Sequence, residues 1–376
     1  MSVNRVKKIQ EFEQSIWLDF IDRNLLSSGQ LQKLIEEDGI KGLTSNPAIF
    51  EKAISSGNAY DEDIKKLSAN ETNNEVIFYE MAVTDIQQAA DILMQVYDDK
   101  VKSGDGYISL EVSPYLAKDT KGTVSQALQL WKAIDRKNAM IKIPGTMECL
   151  PAIRTCISEG LNINVTLLFG LERYEAVTEA YISGLEDRVK SGKPLHEIAS
   201  VASFFLSRID ILIDPLLTEK GIGELKGKIA IASAKMAYEI YKKVFSSERF
   251  LKLKEKGATP QRLLWASTSN KDASSRDTKY VEALIGPKTV NTIPMETLDA
   301  FRDHGEVKNT LEEDADGAAQ ILEQVKKGGI NLFEITQKLE DEGIEKFTKP
   351  YDKMLQAIEK QKPALKTADA QNIKER

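Results

Sequence analysis

This sequence predicts an α/β fold: a (β/α)8 TIM barrel with additional helices, including a helical C-terminal extension. Three observations predict it. Short apolar strand patterns alternate with helical ones from about residue 15 to 300, which argues for parallel βα units. The strand patterns number eight, which suits a closed barrel better than a doubly wound sheet. Polar residues recur at the C-terminal ends of these strands, the face that carries the working site in such barrels.

The first strand is Ser15 to Phe20, with Asp19 late in it. A helix follows at about 29–37, with Leu31, Leu34 and Ile35 on its apolar face. Residues 40–47 read as the second strand, and Pro47 either stops it or starts the next helix. Residues 48–104 are too long for one crossover helix and hold two or three, the clearest at about 74–102. The third strand, 106–114, puts Tyr107, Ser109 and Glu111 on one face by its period of two. A carboxylate inside a strand costs free energy unless it has a partner or a task. A helix at about 123–136 leads to the fourth strand, 139–146, which carries Lys142. Pro151 sits in the first turn of a helix that runs to Ser158 and stops at Gly160. The fifth strand is 163–169, followed by a helix at 173–190. The sixth is 198–205, followed at once by Arg208. A helical crossover over about 206–255 has its clearest helix at 229–245. Strands seven and eight are 262–268 and 288–294.

The chain reads as one barrel unit over 1–376, with its core at about 15–300 and a charge-rich helical extension at about 301–365. Leu322, Val325, Leu332, Ile335 and Leu339 supply apolar positions for outer helices packing over the barrel, and a polar, frayed tail is expected at 366–376.

The net charge of −7 gives no broad basic footprint for nucleic acid or an anionic membrane. Cys149 and Cys156, seven apart, read as core thiols in a reducing compartment. His196 and His304 have no ligand-spaced partners, so no metal site is expected. No signal peptide and no run of about 20 apolar residues occurs, which makes a cytoplasmic protein the default. Nucleotide-binding glycine motifs are missing. Monomer and homodimer both stay open.

Lys142 is the pivotal residue. Lysine is almost never fully buried unless paired or used. Desolvation favours the neutral amine, a nucleophile that forms a Schiff base with a ketone or aldehyde. Converging at the mouth with it would be Asp19, Asn46, Glu111, Asn164, Thr166, Ser203, Arg208 and Ser267. Each alone has an ordinary explanation: Asp19 as a cap or ion-pair partner, Asn46-Pro47 as a turn, Thr166 as a strand former, Arg208 as a surface residue. Together they supply what imine chemistry asks for. Asp19 is the candidate base for a C4 hydroxyl, and Glu111 with Thr166 could hold a proton-shuttling water. Asn46, Asn164 and Ser203 suit sugar hydroxyls, and the fork of Arg208 suits a phosphate.

These residues fall in an ordered set of motifs: Trp17-Leu18-Asp19, Gly42-Leu43-Thr44-Ser45-Asn46-Pro47, Ser109-Leu110-Glu111-Val112, Ile141-Lys142-Ile143-Pro144, Asn162 to Phe169, Trp265-Ala266-Ser267-Thr268 and Val290 to Pro294. With them the chain resembles the transaldolase family, in its longer bacterial and plant-like subgroup. The resemblance implies a (β/α)8 barrel that transfers a dihydroxyacetone unit between ketose and aldose phosphates, with no metal or organic cofactor. By residue, it implies Lys142 as the imine lysine, Asp19 as acid/base, and Glu111 and Thr166 as the water-handling pair. It implies Asn46, Asn164 and Ser203 as substrate ligands. The chain departs from the pattern at two places. Many members carry an arginine two residues after the seventh-strand serine; here that position is Ser269, with Lys271 as the replacement candidate. Many also have Ser-Pro-Phe where this chain has Ser203-Phe204-Phe205, with Phe205 keeping the aromatic wall. The alternative is a related Schiff-base aldolase that releases free dihydroxyacetone; the C-terminal helices argue for transfer. A catalytically dead barrel serving as a scaffold is disfavoured by Lys142, Asp19 and Glu111.

Overall fold

The structure, a computed structural model, describes residues 4–99, 104–270, 272 and 275–372, with side chains up to residue 362. Its strands are β1 (Gln14–Asp19), β2 (Gly42–Thr44), β3 (Tyr107–Glu111), β4 (Ala139–Pro144), β5 (Ile163–Leu168), β6 (Ser200–Phe205), β7 (Arg262–Ala266) and β8 (Thr289–Ile293). Each pairs in parallel with its neighbour in sequence, and β8 closes on β1. All are buried almost end to end, because helices cover the outer face and side chains fill the inside. That double burial is why they read as near-continuous apolar runs.

Before and after β2 lie α1 (Arg5–Lys8), α2 (Arg23–Ser27), α3 (Gln30–Glu37), α4 (Pro47–Ser55), α5 (Asp61–Leu67) and α6 (Asn74–Asp98). The sequence reading misses α2: five residues are too few to show a periodicity, although Asp22 caps it by accepting from the Leu25 amide at 2.7 Å. The clearest helix of that crossover ends at Asp98 with Asp99 as its C-cap, and residues 100–102 of its expected span lie outside the described residues. Next come α7 (Thr120–Ile134), α8 (Leu150–Glu159), α9 (Leu171–Lys190), α10 (Ser207–Glu219), α11 (Ile229–Phe245) and α12 (Glu248–Lys254). Gly160 ends α8 with φ of 103°, the left-handed cap its sequence position suggests. The last helices are α13 (Lys279–Glu282), α14 (Met295–His304), α15 (Ala315–Lys327) and α16 (Leu332–Asn372). The expected frayed tail falls on side chains, and from 373 on a backbone, outside the described residues. No helix among the described residues is long and apolar enough to cross a membrane. Cys149 and Cys156 are free and buried.

Two features of this frame bear on function. The first is α16, which packs against α4, α5, α6 and α10. Phe347, Tyr351, Met354 and Ile358 recur at helical spacing and are all buried. Each buried side chain of this size contributes roughly 1.5–3 kcal/mol before entropy is counted, so the helix is firmly seated. The second is close packing at the strand bottoms. A side chain at Gly42 would put its Cβ 2.7 Å from the Trp17 ring, which is fully buried, so the glycine lets β1 and β2 pack there.

Candidate active site

Register sets the site. Glu111 on β3, Lys142 on β4 and Asn164 on β5 are direct partners, so the ladder brings the three side chains to one level. Lys142 is 5% exposed. Its ammonium donates to the Ser45 carbonyl at 2.7 Å and lies 3.7 Å from Glu111 Oε2, which is too long for a hydrogen bond. Glu111 Oε1 accepts from Thr166 Oγ1 at 3.2 Å, while Oε2 has no hydrogen-bond partner in the protein. Burial raises the Glu111 pKa above its ordinary value, against the lowering pull of Lys142.

Asp19 ends β1 on the other side of the lysine. Its carboxylate accepts from Thr44 Oγ1 at 2.7 Å, and Thr44 meets Thr292 at the same distance. With Thr44 donating to Asp19, Thr292 must donate to Thr44. The chain of hydroxyls therefore fixes one carboxylate oxygen and leaves the other to the cavity. Burial raises the Asp19 pKa, and Lys142 again opposes the shift. Asn46 has two tasks. Its carbonyl oxygen caps α4 through the Ile49 amide at 3.0 Å, and its side chain, near Asp19, favours the ionised carboxylate there. The turn reading and the site reading of this residue are thus compatible.

A cavity of about 710 Å³ opens above Lys142 at the C-terminal mouth of the barrel. Asp19, Asn46, Lys142 and Thr166 line it, as do Ser203, Phe205, Arg208 and Ser267. Glu111 and Asn164 do not. Asn164 is fully buried beneath the cavity. It donates to Ser109 Oγ at 3.1 Å and accepts from Ser203 Oγ at 2.6 Å. The Ser203 proton therefore points down, and the hydroxyl shows lone pairs to the cavity. Lys271 lies outside the described residues.

The rim carries backbone strain. Leu167 and Ser267 have φ of 57° and 55°, unusual for residues with side chains. The β5–β6 register shifts between Val165 and Leu168, and Thr166 lies in that irregular stretch. Ser267 Oγ meets Ser207 Oγ at 2.8 Å, which ties the end of β7 to the start of α10. Arg208, one residue on, lays its guanidinium carbon 5.4 Å from the Phe205 ring centroid and 6.0 Å from that of Phe347. Its Nη1 is buried without a partner. A buried guanidinium with an unused donor is built for an anion.

The sequence reading does not anticipate Lys52, Glu296, Lys346 and Phe347, which also line the cavity. Lys52 had a signal: Ile49, Lys52, Ala53 and Ser56 form an i, i+3, i+4, i+7 face, and all four line it. Lys346 and Phe347 had none, because their place depends on how α16 crosses the mouth.

Comparison with known proteins adds an independent line. The family model described as "Transaldolase/Fructose-6-phosphate aldolase" matches residues 16–358. A transaldolase of Trichodesmium erythraeum (strain IMS101) is 47% identical over 373 residues, covering 96% of this chain and 98% of that protein. A protein named transaldolase 2 from Nostoc punctiforme is 45% identical over 96% of this chain and 98% of its own length. A transaldolase of Saccharopolyspora erythraea is 46% identical over 92% of this chain and 94% of its own. This chain belongs to the transaldolase/fructose-6-phosphate aldolase family.

Proposed function

We propose that this chain is a transaldolase, moving a dihydroxyacetone unit from a ketose phosphate to an aldose phosphate through an imine on Lys142. The substrate pair would be sedoheptulose 7-phosphate with glyceraldehyde 3-phosphate, giving erythrose 4-phosphate and fructose 6-phosphate. One observation carries the reading. A nearly buried lysine stands on the cavity floor between two carboxylates, one held by hydroxyls and one with an unused oxygen.

In this reading Lys142 Nζ adds to the C2 carbonyl, and water leaves to give the protonated imine. Glu111 and Thr166 handle the protons of that step through a water against the free Glu111 oxygen. Asp19 takes the C4 hydroxyl proton. The C3–C4 electrons flow into the imine, the C4 end departs as an aldehyde, and an enamine stays on Lys142. The enamine then attacks the aldehyde carbon of the incoming aldose, with Asp19 returning the proton. Hydrolysis releases the new ketose. Asn46 and Ser203 orient hydroxyls, and Arg208 holds the phosphate. An aldolase of the same fold would protonate the enamine from water and free dihydroxyacetone; a mouth crossed by α16 favours the transferase.

Borohydride reduction in the presence of fructose 6-phosphate tests the reading. A stable adduct is expected on Lys142 by peptide mass spectrometry, and erythrose 4-phosphate is expected to draw the unit into sedoheptulose 7-phosphate. No adduct at Lys142 rejects the imine, and free dihydroxyacetone as main product rejects transfer.

The acid limb of kcat/KM gives a second check. Asp19 works as a base only when ionised, and burial lifts its pKa above the ordinary 3.8. Activity should therefore fall with acidification at a midpoint above 3.8, one that Glu111 shares because both carboxylates face the same lysine. A midpoint at or below 3.8 would contradict the role given to Asp19.

A further inference from the structure

Among the described residues, the phosphate end of the cavity has Arg208 at the start of α10 and a wall from α16. Arg208 offers its unpartnered, buried Nη1, and Phe347 of α16 lies against its guanidinium. Lys346, next to Phe347, lines the same cavity. Its ammonium is held by Glu342 one turn earlier, at 3.2 Å. Glu342 is also 4.0 Å from Lys338, and its charge is felt at Arg208. One carboxylate thus stands among three cations. The Lys346–Glu342 pair is half-exposed, and such pairs hold weakly and exchange readily.

We propose that Lys346 is the second cation of the phosphate subsite, and that α16 thereby sets the preference for phosphorylated sugars. The inference rests on the transaldolase reading. A phosphate ester near neutral pH carries close to two negative charges. The Arg208 fork engages two of its oxygens and leaves charge over. Lysine meets that remainder as a mobile point charge. On binding, the phosphate takes the place of Glu342 at Lys346, so a helix that begins more than a hundred residues after Arg208 becomes part of the site. Glu342 then swings toward Lys338, its other neighbour, and keeps a partner. Lys52 lines the cavity from α4, the helix that Asn46 caps.

Three variants test this: Lys346→Met, Lys346→Arg, and Lys349→Met as a control on the same helix outside the cavity. Two quantities are compared with the parent enzyme. One is the ratio of kcat/KM for fructose 6-phosphate to that for fructose as donors. The other is the dissociation constant of inorganic phosphate, measured by calorimetry and needing no turnover. Lys346→Met should lower the ratio at least about tenfold and weaken phosphate binding by a similar factor. Lys346→Arg should restore most of both, and Lys349→Met should change neither. An unchanged ratio and unchanged phosphate binding in Lys346→Met overturn the proposal. So does an equal loss with both donors, which would mean that Lys346 only supports the helix. If the parent enzyme gives no borohydride adduct, the imine reading fails, and the phosphate titration still decides the role of Lys346.

Discussion

Lys142→Met should lose turnover by at least about 10⁴-fold while the barrel stays folded, because the other lysines that line the cavity among the described residues, Lys52 and Lys346, do not stand between Asp19 and Glu111. Methionine matches the length of the lysine stem, so the β4 packing survives. Two contacts are lost. The Ser45 carbonyl loses its donor, at a cost of roughly 1–3 kcal/mol if water does not replace it. Glu111 loses the cation that opposes the raising of its pKa. Burial already favours the neutral acid there, so the variant escapes a stranded charge by protonating Glu111. The urea midpoint should drop modestly and near-UV dichroism should stay native. Borohydride should no longer attach the sugar. Lys142→Arg should be equally inactive, since a guanidinium stays charged and cannot add to a carbonyl. Near-normal turnover in either variant would refute the imine. Inactivity together with a lost native dichroism would assign Lys142 to the scaffold instead.

How much of this could be read from the chain depends on whether the signal is local. The eight strands were legible because burial on both faces leaves continuous apolar runs between helices. The gathering of Asp19, Lys142, Thr166 and Ser203 at one mouth follows from the barrel, since each lies in the C-terminal half of a parallel strand. What one residue does inside that mouth was less legible. Asn164 reads as a sugar ligand, yet in the structure its amide bonds Ser109 and Ser203 and does not line the cavity. The choice between those places turns on the register and twist of three strands, which no local pattern encodes. The path of α16 was invisible for a similar reason. Its apolar face says that it packs on something, but only the folded barrel says that it packs across the mouth and delivers Lys346 and Phe347. Asp105, just before the third strand, carries no local signal of its role, although it pairs with Arg262 in the folded barrel.

Asp105→Ala should destabilise the barrel by about 3–5 kcal/mol, the range found when one member of a buried ion pair is removed. Asp105 precedes β3 at the N-terminal end of the barrel, the end opposite Lys142, and its side chain is wholly buried. One oxygen accepts from Trp17 Nε1 at 3.1 Å and Arg262 Nη1 at 2.8 Å; the other accepts from Ser15 Oγ at 2.6 Å. Arg262 Nη2 in turn donates to Ser15 Oγ at 2.7 Å and to the Thr289 carbonyl at 2.8 Å. The network joins β1, β7 and β8 to the loop before β3, which lie far apart in sequence and meet only when the barrel closes. Alanine would leave three buried donors without their acceptor and the guanidinium without its counter-charge, which desolvation makes costly. Asp105→Asn, which keeps the shape and loses the charge, should fall between parent and alanine variant. The pair Asp105→Leu with Arg262→Met should cost less than Asp105→Ala alone, because no charge is then stranded. Urea midpoints measure the order. kcat per folded molecule should stay near the parent value in all of them, since conserving the bottom of such a barrel concerns stability and the chemistry sits at the top. A kcat that falls while the urea midpoint holds would show instead that the Asp105 network acts on the site through the strands, and would move Asp105 from the closure of the barrel into the positioning of Lys142.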